Sequence, residues 1–140
     1  MKKLILIVAL IALMAFSISC TNAEEDMIVL SINDIQSDPL SFTGKLKING
    51  VVSDFYENDN SVFSIMDTAE LLFCKDLYCG AYALAVKNTG NDAIPELADD
   101  IDVIGSWGEY EGHVIFEVTN ITVKRNIMPL LTNNSSGGGS

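Results

Sequence analysis

Gly44-Lys-Leu-Lys-Ile-Asn-Gly-Val-Val-Ser53 is the stretch on which the fold turns. Leu46, Ile48, Gly50 and Val52 alternate with Lys45, Lys47, Asn49, Val51 and Ser53, the period of two of a half-buried strand. A polar turn, Glu57-Asn-Asp-Asn-Ser61, leads into a second strand, Val62-Phe-Ser-Ile-Met-Asp67. Gly50 weakens a plain strand but suits a bulge or sharp bend, the device by which a small barrel turns a corner.

Upstream, Met27–Ile32 is apolar and β-branched, enough for a short strand. Asn33–Gly44 carries cap-type residues, Pro39 and a closing glycine, which predicts a helical turn or compact loop with Leu40 and Phe42 tucked against the barrel. Downstream, Thr68–Gly80 reads as irregular and holds two cysteines. Ala81–Lys87 resumes a strand, with Tyr82, Leu84 and Val86 on one face. Ile94–Asp100 has room for one helical turn at most. Ile101–Trp107 and His113–Val123 read as the fourth and fifth barrel strands, and periodicity ends at Asn126. The expected class is all-β: a small five-stranded barrel with one short helical segment after the third strand.

Asp38-Pro39, Phe42-x-Gly44-Lys45, Gly50-Val-Val, Phe63-Ser-Ile-Met-Asp67, Asp102-Val-Ile-Gly105 and Phe116-Glu-Val with Ile121-Thr-Val form a recurring pattern of glycines and apolar positions. It resembles exported OB-fold proteins, including small lipoproteins and the bacterial periplasmic OB-fold group, over roughly Ile28 to Val123. The resemblance implies a Greek-key barrel and no particular activity. A periplasmic OB-fold haem chaperone carries its haem-binding histidine in an H-x3-Y motif. Here Glu117 stands four residues after His113, so no haem role follows.

The chain begins like an export signal. Lys2 and Lys3 precede 13 apolar residues, Leu4–Phe16, too short to span a bilayer but fitting for a signal-peptide core. Ser17-Ile-Ser-Cys20 resembles a lipobox, with Ser17 where leucine is usual. The expected organisation is a signal peptide over 1–19, a lipidated Cys20 and acidic tether over 20–27, a barrel over 28–125, and a flexible tail over 126–140. The protein is then expected outside the cytoplasm, held to the membrane by a lipid on Cys20. The chain has 8 basic and 19 acidic residues, a formal net charge of −11. Such a surface repels a phosphate backbone, so nucleic acid is not an expected partner.

With Cys20 lipidated, Cys74 and Cys79 remain as an even pair, expected as a disulfide in an oxidising compartment. Their C-x4-C spacing is not that of thioredoxin-like or zinc-knuckle sites, although a thiol-redox or metal-handling role stays the alternative reading. His113 is the only histidine. No serine or cysteine nucleophile is paired with it, so neither catalysis nor a cofactor is expected. Asp99, Asp100, Asp102, Glu109 and Glu111 lack calcium-loop spacing and read as solvated acidic loops. OB-folds bind ligands on the face of their second and third strands and in flanking loops. That places Tyr56, Trp107 and Tyr110 as ligand-binding candidates, with Phe63, Tyr82 and Phe116 as core. The functional expectation is a non-enzymatic envelope module binding a protein, peptide or small molecule in this groove.

Overall fold

β2 (Leu46–Tyr56) is 11 residues long and changes partners midway. Its first half, Leu46–Val51, pairs antiparallel with β5 (Asp99–Tyr110); its second, Val51–Tyr56, pairs antiparallel with β3 (Asp59–Met66). Gly50 sits beside this handover. A Cβ there would lie 3.0 Å from the Met66 carbonyl oxygen and 3.1 Å from Ile65 Cβ, so the crossing strands leave little room for a side chain. The bulge itself falls three residues later, at Ser53, where the pairing skips from Val52 to Asp54. The corner expected at Gly50 is thus a close approach followed by a bulge.

The computed structural model describes residues 27–132. The signal peptide, Cys20 and most of the tether fall outside the described residues, as does the tail from 133. β3 pairs antiparallel with β4 (Ala83–Asn88), β4 pairs parallel with β6 (His113–Asn126), and β6 returns antiparallel to β5. Since β5 also pairs with β2, five strands close a hydrogen-bonded ring, β2-β3-β4-β6-β5. This is an OB-like barrel. The strand count needs a correction, because a sixth strand, β1 (Val29–Ser31), runs parallel to β2 over Lys47–Asn49. It occupies the side of β2 that β3 takes farther along, so it extends the sheet without entering the ring.

The inward residues Ile48, Val52, Phe63, Ile65, Leu84, Val86, Ile101, Val103, Phe116 and Val118 form the main core. Ile32 and Ile35 complete it from α1 (Ile32–Ile35). That single turn starts at Ser31, whose Oγ accepts from the Asp34 amide while the Asp34 carboxylate accepts from the Ser31 amide. This reciprocal cap satisfies two donors that a helix start leaves open. A 3-10 turn, Pro39–Ser41, follows. Phe42 packs on the core, whereas Leu40, expected to tuck in, is exposed.

The helical segment is not where the pattern placed it. Ile94–Ala98 is not helical, while Thr68–Cys74, expected to be irregular, forms α2. Asp67 explains the second outcome: its carboxylate accepts from the Ala69 and Glu70 amides, capping the first turn. The expected flexible tail also needs correction at its start. α3 (Met128–Thr132) continues the packed structure, with Ile127 and Leu131 buried against Val51, Leu71, Leu77 and Ala98. Val51 points outward from the barrel, so this second apolar cluster covers the outer face that the alternation marks as polar.

α2 ends at Lys75, whose φ of 60° is left-handed and whose amide donates to the Leu71 carbonyl. Glycine takes this conformation without the Cβ clash that costs an L-residue about 1–2 kcal/mol. Lys75→Gly is therefore expected to stabilise the chain by about 0.5–1 kcal/mol, after the greater unfolded-state freedom of glycine is offset. The check is a higher urea midpoint at an unchanged denaturant slope.

Candidate functional site

β4 meets its two neighbours unequally. Its pairing with β3 covers Ala83–Lys87, but its pairing with β6 begins only at Val86↔Phe116. Ahead of that point the two parallel strands are unpaired, and a seam opens in the ring. A cleft of about 340 Å³ lies there, lined by Pro39, Leu40, Tyr82, Ala83–Ala85, Trp107 and Val114. No charged side chain lines it. Leu40 and Val114 are each 59% exposed, an apolar rim that no described residue covers.

Trp107 stands between this cleft and the core. β5 pairs it with Phe116, on which the indole packs edge to face at 5.3 Å between centroids. Its Nε1 is buried and has no hydrogen-bond partner among the described residues. An indole N–H is a donor only, and burying it unpaired costs on the order of 1–3 kcal/mol. An acceptor oxygen supplied by a ligand would remove that penalty.

Tyr110 is elsewhere. It lies three residues along β5 from Trp107, and an odd offset reverses the face of a strand. Its hydroxyl donates to Asp59 Oδ2 at 3.0 Å, and Lys87 Nζ sits 4.1 Å from the ring centroid. Lys87 also pairs with Asp59 Oδ2 at 3.0 Å and donates to Ser61 Oγ at 3.2 Å. Tyr56 pairs with Asp59 across the β2–β3 hairpin and is 47% exposed. It borders a smaller hollow of about 170 Å³ over Asp54, Val62, Ser64 and Ala85. The three candidate aromatics therefore divide: Trp107 lines the seam, while Tyr56 and Tyr110 frame an ionic cluster on the outer face.

In that cluster, hydrogen bonds from Ser61, with those from Lys87 and Tyr110, hold the Asp59 carboxyl far below the usual carboxylate range. The same Asp59 contact, with lesser contributions, raises the Tyr110 hydroxyl above its ordinary value. A depressed carboxyl contributes stability that is complete above its unfolded value, about 3.9, and is lost as pH falls through the folded value. A raised tyrosine contributes stability present below about 10 that is lost at higher pH. Asp59→Asn is thus expected to flatten the acid side of the stability profile below about pH 4 relative to wild type. Urea unfolding at a series of pH values reads this directly; an unchanged acid slope contradicts it.

The acidic residues read as loops fall into two groups. Glu109 and Glu111 are exposed, as expected. Asp99, Asp100 and Asp102 are instead buried on β5, each no more than 8% exposed. Asn49 Nδ2 reaches Asp100 Oδ1 at 2.9 Å and Asp102 Oδ1 at 3.1 Å. Lys124 bonds Asp102 at 2.7 Å, Arg125 approaches Asp100 at 3.4 Å, and Asn126 donates to Asp99 at 2.9 Å. Every carboxylate here has a structural partner, which makes this a strut between β2, β5 and β6.

Cys74 and Cys79 form a disulfide across the end of α2, with Cα atoms 6.6 Å apart. Phe73 and Tyr78, beside it, are 91% and 69% exposed. His113 opens β6 and is exposed. Among the described residues no three His, Cys, Asp or Glu side chains converge as a metal-binding group. The seam itself was not legible, because it depends on where two strands 30 residues apart begin to pair.

No protein-family model matches the chain, and no curated protein matches it. Among solved structures it is similar to the hypothetical protein ygiW from E. coli, at 13% identity over 69% of this chain and 90% of that one, with a TM-score of 0.44. It is also similar to a replication protein A heterotrimer bound to ssDNA, at 11% identity over 63% of each chain, with a TM-score of 0.41. Likenesses this distant say nothing of a ligand; the OB-like assignment stands on the strand order and the closed ring.

Proposed function

We propose that this chain is a non-enzymatic binding module of the cell envelope, anchored through Cys20, whose ligand docks in the seam cleft beside Trp107. The observation that carries the reading is the uncharged cleft of about 340 Å³ lined in part by Trp107, whose buried Nε1 has no partner among the described residues. Ligand sites are typically concave and mostly apolar, with few polar groups to fix orientation. The chemistry that fits is a neutral apolar group carrying a hydrogen-bond acceptor. The balance of 8 basic to 19 acidic residues supports a partner other than nucleic acid.

Trp107 is the only tryptophan, so its emission reports on this cleft alone. Nile red, a neutral apolar dye, is expected to bind the full chain at one site and accept energy transfer from Trp107. Leu40→Arg, which puts a charged side chain on the exposed rim of this cleft and not of the hollow beside Tyr56, is expected to abolish that transfer while leaving the unfolding midpoint within experimental error. Saturable transfer that survives this substitution would place the dye, and the site, elsewhere.

The competing reading, thiol chemistry at Cys74 and Cys79, has the exposure of both residues in its favour. It requires the disulfide to equilibrate with a glutathione buffer of envelope composition. A pair that stays oxidised throughout the buffer range is a staple.

A further inference from the structure

Resting on the cleft reading, we infer that the ligand is an extended peptide segment that adds as a strand to the open edge of β4, with an apolar side chain in the cleft and basic residues at its flanks. The backbone carries the first part of the case. The Thr89 amide donates to the Val118 carbonyl at 2.8 Å, so it points toward β6. Backbone direction repeats every second residue along a strand, which turns the Ala85 and Ala83 amides to the same side. Pairing with β6 starts only at Val86↔Phe116, and among the described residues no loop carbonyl or side chain caps these two amides. A row of unpaired strand groups is a template for another extended chain. A compact small molecule does not match its spacing.

Side chains carry the second part. Ala83 and Ala85 present only methyl groups, so an added strand can approach β4 without displacing bulk. Strand addition draws affinity from main-chain hydrogen bonds and selectivity from pockets for alternate side chains. The apolar cleft supplies one such pocket. A peptide also brings carbonyl oxygens, the acceptor type that the unpartnered Trp107 Nε1 lacks.

Charge carries the third. Asp38 precedes Pro39 at one rim of the cleft, and Glu109 pairs with Val114 at the other; both are exposed. Acidic rims around an uncharged floor suit a segment that is apolar in the middle and basic at its ends, and they steer it in from solution.

The probe is an acetylated and amidated peptide with a core of alternating leucine and valine between pairs of lysines, titrated into the full chain. Single backbone N-methylation of core residues blocks hydrogen bonds on one side of the strand or the other. Methylation at one parity is expected to weaken binding at least tenfold, and at the other parity to leave it within twofold. Exchange of the Ala83 and Ala85 amides should slow at least tenfold in the complex. Equal binding by both methylated series, or unaltered exchange at Ala83 and Ala85, overturns the strand-addition inference. Equal binding by a counterpart with aspartates in place of lysines overturns the basic flanks. Nile red separates the two levels: a peptide that fails to bind a chain that still takes the dye defeats this inference alone. Failure of both removes the cleft reading beneath it.

Discussion

Replacing Gly105 by alanine is expected to unfold this barrel or leave it barely stable. β5 and β6 pair closely here, with a register shift between Ile104 and Gly105 that presses the two backbones together. A Cβ on Gly105 would overlap the Glu117 carbonyl oxygen, and would lie 2.8 Å from the Glu117 carbonyl carbon and 2.9 Å from Val118 Cα. Extra methylenes in a core usually cost about 1–3 kcal/mol because flexible side chains give way. Here the obstacle is backbone in the longest pairing of the ring, so we expect the upper end of that range or beyond, ~3 kcal/mol or more. Against a total of roughly 5–15 kcal/mol for a native domain, that is decisive. Gly112→Ala is the matched control. Nothing lies within 4 Å of a Cβ there, and only its φ of +81° is strained, so about 1–2 kcal/mol is expected. Denaturant midpoints of both variants decide the matter, and a Gly105→Ala chain as stable as Gly112→Ala would contradict the observed strand approach.

Phe116→Ala is expected to be similarly severe, by about 3–5 kcal/mol, for a different reason. The ring is fully buried, among the largest such side chains, and it supports both Val86 across the parallel pairing and Trp107 across the antiparallel one. Its removal opens a void where barrel closure and cleft wall meet. The loss includes the edge-to-face contact with Trp107, worth about 0.5–1.5 kcal/mol beyond area burial. The readout has two parts: a lower unfolding midpoint, and a red shift of the single tryptophan's emission in the still-folded protein as the indole gains water. A stability loss without the emission shift would mean that Trp107 does not rest on Phe116.

The barrel was legible because its strands alternate. Ile48 and Val52 in β2, Leu84 and Val86 in β4, and Phe116 and Val118 in β6 each repeat every second residue toward one core. The second cluster was not legible in the same way, since Val51 sits on the face that alternation calls polar and its cover comes from Leu71, Ile127 and Leu131, far along the chain. α2 does carry a local signal, since Asp67 followed three residues later by Glu70 is a helix-start spacing. The buried carboxylates of β5 had none, because Asp100 and Asp102 depend on Asn49, Lys124 and Arg125, which only the folded sheet brings near. For the candidate site, the period of two already separates Trp107 from Tyr110, so a single groove holding both was excluded by their spacing. What no spacing reveals is the seam, which exists because β6 joins β4 late.

The central claim is that a ligand enters the β4–β6 seam beside Trp107. With one tryptophan in the chain, a proton–nitrogen correlation spectrum of the isotope-labelled protein contains one indole signal. Titrating the lysine-flanked peptide while following that signal tests the claim most directly. A saturable downfield shift of the indole proton, as Nε1 gains an acceptor, moving together with the Ala83, Ala85 and Val114 amides, is the predicted result. An indole signal that stays fixed while residues around Phe73 and Tyr78, or around Tyr56 and Tyr110, respond would contradict it.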